Sequence, residues 1–371
     1  MNMMSLLAPY KMGDLRFRNR MVMAPMTRCR AVEGNVPGSL TVTYYSQRAS
    51  AGLIITEGSQ VSPLGVGFNR TPGIYSPEQV EGWKKVTTAV HEGEGKIFLQ
   101  LWHVGRMSHP DYLGGAMPVA PSAIPVNEEI HTPTGKKKIP APRALSAGEI
   151  QDIVHQFRQG AKNAREAGFD GVEIHGANGY LLDQFLRDGS NRRSDNYGGS
   201  LKNRLRFPLE VARAVLEEWG SGRVGYRLSP HFSLHGMSDT DPATTFSSCA
   251  QELGSIGIGY IHLIEPVGGR LGVTPPGGLL APRIRGKFNG TLMLNGGYDA
   301  DTGNDVIESG LADLVSFGIP FLANPDLPDR FRKNARLNRE DPATFYAGEE
   351  QGYTDYPVLG SGEDERPDPV K

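Results

Sequence analysis

Gly171-Val172-Glu173-Ile174-His175-Gly176-Ala177-Asn178-Gly179-Tyr180 joins a short β-type run, Val172 to Ile174, to a glycine-bracketed turn. The turn displays three polar side chains within six positions. His175 and Asn178 can both donate hydrogen bonds, and Tyr180 carries a phenol that can deliver a proton. Two donors and a proton source at the end of a strand are what reduction of a polarised double bond requires.

Seven further runs of the same kind lie along the chain. Together the eight predicted strands are Arg20–Pro25, Leu53–Glu57, Lys96–Leu101, Gly171–His175, Arg223–Leu228, Tyr260–Glu265, Thr291–Asn295 and Leu314–Phe317. Most are apolar on both faces, as in strands buried in a parallel sheet. Helical patterns alternate with them, clearest over Ser146–Ala167, Ser200–Trp219, Pro242–Ser255 and Asp301–Ser309. Ser146 and Ser200 suit N-cap positions, and Gly168, Gly220 and Gly310 suit helix ends. Eight strands alternating with helices predict a single (β/α)8 TIM barrel, with a doubly wound open sheet as runner-up. Leu7–Arg18 alternates around Gly13 and predicts a short N-terminal β-hairpin closing the barrel floor. A long Pro- and Gly-rich loop after strand 3, from His103 to Leu145, is of the size used for lids. The barrel is expected over residues 1–357, followed by a disordered acidic, Pro-rich tail over 358–371.

Composition narrows the function classes. The 371-residue chain has a formal net charge of −2. Nucleic acid and anionic membrane are therefore poor partners. Its one basic run, Lys136-Lys137-Lys138, reads as solvated loop. Cys29 and Cys249 are too few for a four-cysteine iron–sulfur site and match no metal spacing, so no metal is expected. The first residues lack the basic start and apolar core of a signal peptide, and no apolar stretch approaches ~20 residues. The expectation is a soluble, cytoplasmic protein, monomer or homodimer.

In barrel enzymes the chemistry sits where strands end. Here the ends offer Pro25, Met26 and Thr27; Glu57 and Gly58; Gln100, Trp102 and His103; His175, Asn178 and Tyr180; Arg227; Asn295, Gly296 and Gly297; and Phe317 and Gly318. Glycines after strands seven and eight suit a phosphate, because backbone N–H groups can approach an anion there. Gln100 and Arg227 suit the polar edge of a flat heterocycle. Residue type alone equally allows Gln100 as a barrel-interior amide and Arg227 as the partner of Glu57 or Glu173. Gly220-Ser221-Gly222-Arg223-Val224-Gly225 matches G-x-G-x-x-G, but a helix precedes it and a strand follows. That is the reverse of a dinucleotide fingerprint, so it reads as a helix-to-strand turn. His231 and His235 have i,i+4 spacing but read as loop histidines without a carboxylate partner. A flavin-free aldolase or isomerase needs a Schiff-base lysine or a carboxylate base inside the barrel, and Lys96 starts its strand at the wrong end.

At this density of motifs the chain resembles the old yellow enzymes, FMN-dependent ene-reductases. The resemblance is carried by Ala24-Pro25-Met26-Thr27-Arg28, Thr56-Glu57-Gly58, Gln100-Leu101-Trp102-His103-Val104-Gly105-Arg106 and His175-Gly176-Ala177-Asn178-Gly179-Tyr180. It continues through Tyr197-Gly198-Gly199-Ser200, Arg227-Leu228-Ser229-Pro230, Ala323-Asn324-Pro325 and Gly352-Tyr353-Thr354-Asp355-Tyr356-Pro357. Phe169-Asp170-Gly171-Val172-Glu173-Ile174 and Phe207-Pro208-Leu209-Glu210 make it most similar to the 12-oxophytodienoate reductases. It lacks the Ser-Lys-Leu terminus of some plant members.

The resemblance implies FMN as cofactor, NADPH or NADH as reductant, and a small-molecule enone as substrate, with nitro compounds as a further class. Thr27, with Pro25 and Met26, would meet the flavin O4 edge. Gln100 and Arg227 would hold the pyrimidine side, and Gly58, Gly297 and Gly318 would supply backbone contacts to ring and phosphate. His175 and Asn178 would bind the substrate carbonyl, and Tyr180 would protonate the α-carbon after flavin N5 delivers hydride to the β-carbon. Phe68, Trp102 and Tyr353 would shape the substrate cavity. The resemblance also implies an Arg directly after Phe317-Gly318, gripping the phosphate; this chain has Ile319. Loss of that charge-assisted contact, worth about 1.5–3 kcal/mol, predicts weaker FMN binding unless Arg283 or Arg285 compensates. It also keeps open a flavin-binding barrel with weak or no ene-reductase activity.

Overall fold

The computed structural model describes residues 4–266 and 277–361. A hairpin, β1 (Tyr10–Met12) and β2 (Leu15–Phe17), leads into β3 (Met21–Met23), β4 (Leu53–Gln60) and β5 (Ile97–Trp102). The segment after β5 holds β6 (Val119–Ala120), β7 (Glu129–Thr132), β8 (Gly135–Lys138) and β9 (Arg143–Ala144). β10 (Gly171–His175), β11 (Val224–Leu228), β12 (Tyr260–Ile264), β13 (Thr291–Asn295) and β14 (Leu314–Phe317) follow. The closed order β10-β11-β12-β13-β14-β3-β4-β5, parallel throughout, is the predicted (β/α)8 barrel and excludes the open sheet. All eight predicted strands are present; Gly171–His175, Thr291–Asn295 and Leu314–Phe317 keep their expected bounds, and the other five shift by one to three residues.

Burial on both faces explains why these runs are strands. Every residue of β4, β5, β10 and β11 is buried. β-Branched and aliphatic side chains pack inward against other strands or outward against helices. The helix Ala147–Glu166 begins at a capping box in which Ser146 and Glu149 satisfy each other's backbone N–H groups. Ser200 caps as expected, but the predicted Ser200–Trp219 helix divides at Leu205 into Leu201–Arg204 and Arg206–Trp219. Gly220, at φ 73°, ends that helix just before β11, so the G-x-G-x-x-G match is indeed a helix-to-strand turn.

β1 and β2 pair antiparallel around Gly13, as expected. Met12, Leu15 and Phe17 pack beneath the barrel against Val22, Leu53, Phe98, Tyr260 and Met293. Burying each such side chain contributes about 1.5–3 kcal/mol. The opposite end is covered by the segment after β5. It folds into two small sheets, β7 against β8 and β6 against β9. Lys136-Lys137-Lys138 is therefore strand rather than the expected loop; Lys136 pairs with Glu129 at 2.9 Å and Lys137 with Asp111 at 2.7 Å. Val126, Ile130 and Ile139 of this flap pack on Trp102, Val104 and Met107, with Tyr180 and Phe68 alongside. Of the expected tail, residues 358–361 are described, and Leu359 N donates to Asp326 Oδ2 at 2.7 Å. Residues 362–371 lie outside the described residues.

Candidate active site

Strand direction gathers the polar residues. In a parallel barrel all eight C-terminal ends share one face, and a cavity of about 330 Å³ opens there. It is lined by Pro25, Met26 and Thr27 after β3, Gly58 on β4, Gln100 and Trp102 on β5, and His175, Asn178 and Tyr180 after β10. Arg227 on β11, Ile319 and Leu322 after β14, and Phe345 and Tyr346 complete the wall.

The β10 turn is tightly specified. Asn178 adopts φ 57°, a left-handed conformation that asparagine tolerates, and its N–H donates to Ser229 Oγ at 2.7 Å. Gly179 N donates to buried Asp183 Oδ2 at 2.9 Å, and Asp183 is held by Arg187 at 2.8 Å. A Cβ on Gly176 would lie 2.1 Å from the Tyr226 ring, so only glycine lets the chain turn here. The side chain of Asn178 and the phenol of Tyr180 make no protein hydrogen bond among the described residues, which leaves both for a ligand.

His175 is 5% exposed. Burial, reinforced by Arg227 and His262, pushes its imidazole well below the usual range, so the ring is neutral. Its Nδ1 accepts the Ala177 N–H at 3.4 Å, which leaves Nε2 as the protonated donor. Burial pushes the Tyr180 phenol well above its ordinary value, so it keeps its proton. The Tyr180 ring stands nearly perpendicular to His175 and to Trp102, each with centroids 5.0 Å away.

The barrel interior sets the other wall. Glu173, fully buried, accepts from Gln100 Nε2 at 2.8 Å, Tyr260 OH at 3.0 Å and His262 Nδ1 at 2.9 Å. With its nitrogen committed, Gln100 turns its carbonyl oxygen to the cavity. Arg227 reaches Asn295 Oδ1 at 3.3 Å through Nη2, while its Nε is buried without a partner. It is the one Arg or Lys on the cavity wall among the described residues, and it forms no direct pair with Glu57 or Glu173. Trp102 Nε1 is also buried without a partner.

These observations fit a flat heterocycle with alternating donors and acceptors. Gln100 presents an acceptor, Arg227 a partnerless donor and a positive charge, and Thr27 a hydroxyl. A Cβ on Gly58 would lie 2.7 Å from the Trp102 ring, so the strand passes the wall without a side chain. The phosphate end fits less well. Gly297 is exposed and neither it nor Gly318 lines the cavity, whereas Ile319 does. Arg283 and Arg285 cannot stand in for the missing arginine. Arg285 pairs with Asp313 at 2.8 Å and donates to Gly290 O, both at the N-terminal ends of strands, on the far side of the barrel. Arg283 donates to Ser247 Oγ in the outer helical layer.

Two expected substrate residues are placed differently. Tyr353 is wholly buried, stacked on Tyr44 at 4.2 Å and flanked by the Arg28 and Arg30 guanidinium groups. It is core, and Phe345 and Tyr346 take the place expected of it on the wall. Tyr346, at 65% exposed, carries the signal that finds it: an aromatic left on the surface of a polar segment. Phe68 stacks on Trp102 at 5.6 Å but lines a second, apolar cavity beside the first. Asn295 and Ser229, expected only as strand-end residues, orient Arg227 and the Asn178 backbone. His231 and His235 do have carboxylate partners, Glu265 at 2.9 Å and Glu128 at 2.7 Å. No group of metal-ligating side chains occurs among the described residues, and no helix there is long and apolar enough to cross a membrane.

The comparisons with known proteins agree with this geometry. Residues 5–338 match the NADH:flavin oxidoreductase / NADH oxidase family. 12-Oxophytodienoate reductase 7 of Oryza sativa subsp. japonica is 47% identical over 374 residues, covering 96% of this chain and 95% of the relative. 12-Oxophytodienoate reductase 1 of the same plant is 48% identical, covering 95% and 93%. Among solved structures, morphinone reductase in complex with tetrahydroNAD superposes with a TM-score of 0.91 at 46% identity, covering 98% of this chain and 99% of that one. The old yellow enzyme homologue from Zymomonas mobilis gives a TM-score of 0.92 at 43% identity, covering 96% and 100%. With its family, fold and cavity in accord, the chain belongs to the NADH:flavin oxidoreductase / NADH oxidase family, as an oxidoreductase of the old yellow enzyme type.

Proposed function

We propose that this protein reduces the C=C bond of α,β-unsaturated carbonyl compounds, with NADPH or NADH as the source of reducing equivalents. The observation that carries this reading is the convergence of a neutral His175, a free Asn178 amide and a protonated Tyr180 on one cavity wall. FMN, held by Thr27, Gln100, Arg227 and the backbone at Pro25, Met26 and Gly58, supplies hydride chemistry when bound.

The protein's own groups do the rest. His175 Nε2–H and the Asn178 amide donate to the substrate carbonyl oxygen, where negative charge grows as the alkene is reduced. A preorganised donor aimed at developing charge is worth roughly 10²–10³ in rate. The Tyr180 hydroxyl gives its proton to the α-carbon, a general-acid contribution of typically ~10²–10⁴. The raised phenol value keeps that proton in place until the α-carbon becomes basic. Arg227 supplies positive charge at the cofactor's pyrimidine edge. Trp102 and the flap residues Val126, Ile130 and Ile139 exclude water from the same wall. Nicotinamide and substrate occupy this one cavity in turn.

A second reading, a flavin-binding barrel with weak or no turnover, rests on Ile319, whose side chain stands on the wall where the resemblance implies an arginine. Anaerobic titration separates the two. NADPH should bleach the flavin bands of the holoprotein, and 2-cyclohexenone should restore them. Bleaching without recovery favours the second reading, and failure to isolate or reconstitute any flavin overturns both.

A further inference from the structure

Arg30 is buried two residues beyond the segment that ends β3, yet it has no carboxylate partner among the described residues. Its guanidinium is instead surrounded by backbone carbonyls of one distant turn. Nη1 donates to Phe345 O at 3.0 Å and to Arg28 O at 2.5 Å. Nη2 donates to Thr344 O at 2.7 Å, Gln351 O at 3.2 Å and Ala347 O, and Nε to Glu349 O at 3.4 Å. Five of the six acceptors belong to residues 344–351. Two of them, Phe345 and Ala347, flank Tyr346. The cation also lies over the Tyr353 ring, 4.9 Å from its centroid. On the outside, Arg70 grips Glu349 of the same turn through two contacts of 2.6 and 2.9 Å.

Tyr346 itself lines two cavities: the one at the strand ends and an apolar one of about 580 Å³ formed with Cys29, Phe68, Ile130 and Ala347. Beyond Thr344, which ends a short 3-10 helix (Pro342–Thr344), the turn that carries it contains no regular strand or helix, and Tyr346 is largely exposed, so packing alone does not fix its ring. A planar five-donor group holding the turn's carbonyls in fixed directions sets the backbone from which that ring projects.

We propose that Arg30 is a positioning residue that sets substrate size by fixing Tyr346 at the junction of the two cavities. The claim rests on the enone reading above. Lysine keeps the charge but offers three donors from a point rather than a planar fork, so Arg30→Lys frees the turn while keeping the buried cation. In the reconstituted Arg30→Lys holoenzyme, the kcat/KM ratio of 2-cyclohexenone over the long-chain enal 2-dodecenal falls roughly tenfold, because misplacing a contact by a fraction of an ångström has effects of this order. The change is carried by KM, with kcat held, because Tyr346 touches ground state and transition state alike. Amide exchange quickens over residues 344–351 and not elsewhere. In the Tyr346→Ala background Arg30→Lys has no further effect on the ratio.

If Arg30→Lys yields no folded holoenzyme, Gly348→Ala displaces the same turn from outside. Gly348 has φ 87°, and a Cβ there would lie 3.2 Å from Gln351 O. The same KM-borne change in the ratio is expected. An unchanged ratio in the folded variant, or an effect of Arg30→Lys that persists in full without Tyr346, overturns the proposal. Wild-type holoenzyme that reduces neither enone overturns the enone reading first, and the size claim with it.

Discussion

Gln100 Nε2 donates to Glu173 Oε1 at 2.8 Å, across the neighbouring strands β5 and β10. This one contact decides which end of the Gln100 amide meets the cavity. Glu173 also holds Tyr260 and His262, so its charge organises the whole layer beneath the cofactor site. Glu173→Gln replaces a charged acceptor with an amide and lets Gln100 turn. Hydrogen bonds to charged groups contribute ~1.5–3 kcal/mol. We expect flavin dissociation to rise about tenfold and Tm to fall, followed by flavin fluorescence on dilution and by thermal melting. Unchanged flavin retention would show that Gln100 is not a cofactor contact.

Tyr180→Phe removes one oxygen and preserves the ring contacts to His175 and Trp102. The enone-dependent reoxidation of reduced holoenzyme should slow by ~10²–10⁴, the usual worth of a general acid. Reduction by NADPH should stay near the wild-type rate, since nothing in that step needs the phenol. Stopped-flow absorbance resolves the two phases. Equal slowing of both would assign Tyr180 to cofactor placement instead.

Ile319→Arg places a guanidinium on the cavity wall, where Arg227 is otherwise the one such cation among the described residues. A charge-assisted contact to the cofactor phosphate stabilises the complex by ~1.5–3 kcal/mol, or about ten- to hundredfold in Kd. Equilibrium dialysis of FMN measures it. An unaltered Kd means the phosphate lies elsewhere.

Glu57 is 2% exposed, and its carboxylate oxygen Oε2 accepts the Arg28 N–H at 3.1 Å. Burial raises its carboxyl from an ordinary 4.5 to about 7, against the pull of Arg28 and Arg30. Between those values the folded protein keeps the proton that the unfolded chain releases. Stability from this group is therefore intact below pH 4.5, falls as pH rises, and reaches its full penalty above about pH 7, on the order of 3 kcal/mol. Glu57→Gln has no such ionisation, so its Tm relative to wild type should climb from pH 4.5 to 7 and then level. A difference independent of pH would show that Glu57 ionises normally.

The barrel was legible because its strands are short, buried on both faces and separated by capped helices, a pattern that survives without any long-range information. The strand-end residues followed from direction alone, once all eight strands ran parallel. Tyr353 was misread because its burial depends on Tyr44, Arg28 and Arg30, residues some three hundred positions away. Tyr346 went unread for the complementary reason: no local pattern says which face of an irregular turn meets a cavity. Lys136-Lys137-Lys138 reads as loop by charge, but Gly135 at φ 115° and the facing Glu129–Thr132 run make it a hairpin. The flap was visible as a long segment after β5, and its strands were not.

The most direct test of the central claim is reduction of 2-cyclohexenone by the holoenzyme with unlabelled NADPH in D2O, quenched early and analysed by mass spectrometry. A neutral donor pair and a solvent-exchangeable Tyr180 proton predict cyclohexanone with one deuterium, at the α-carbon, and loss of that product in Tyr180→Phe. Oxidation of NADPH without any cyclohexanone would contradict the account.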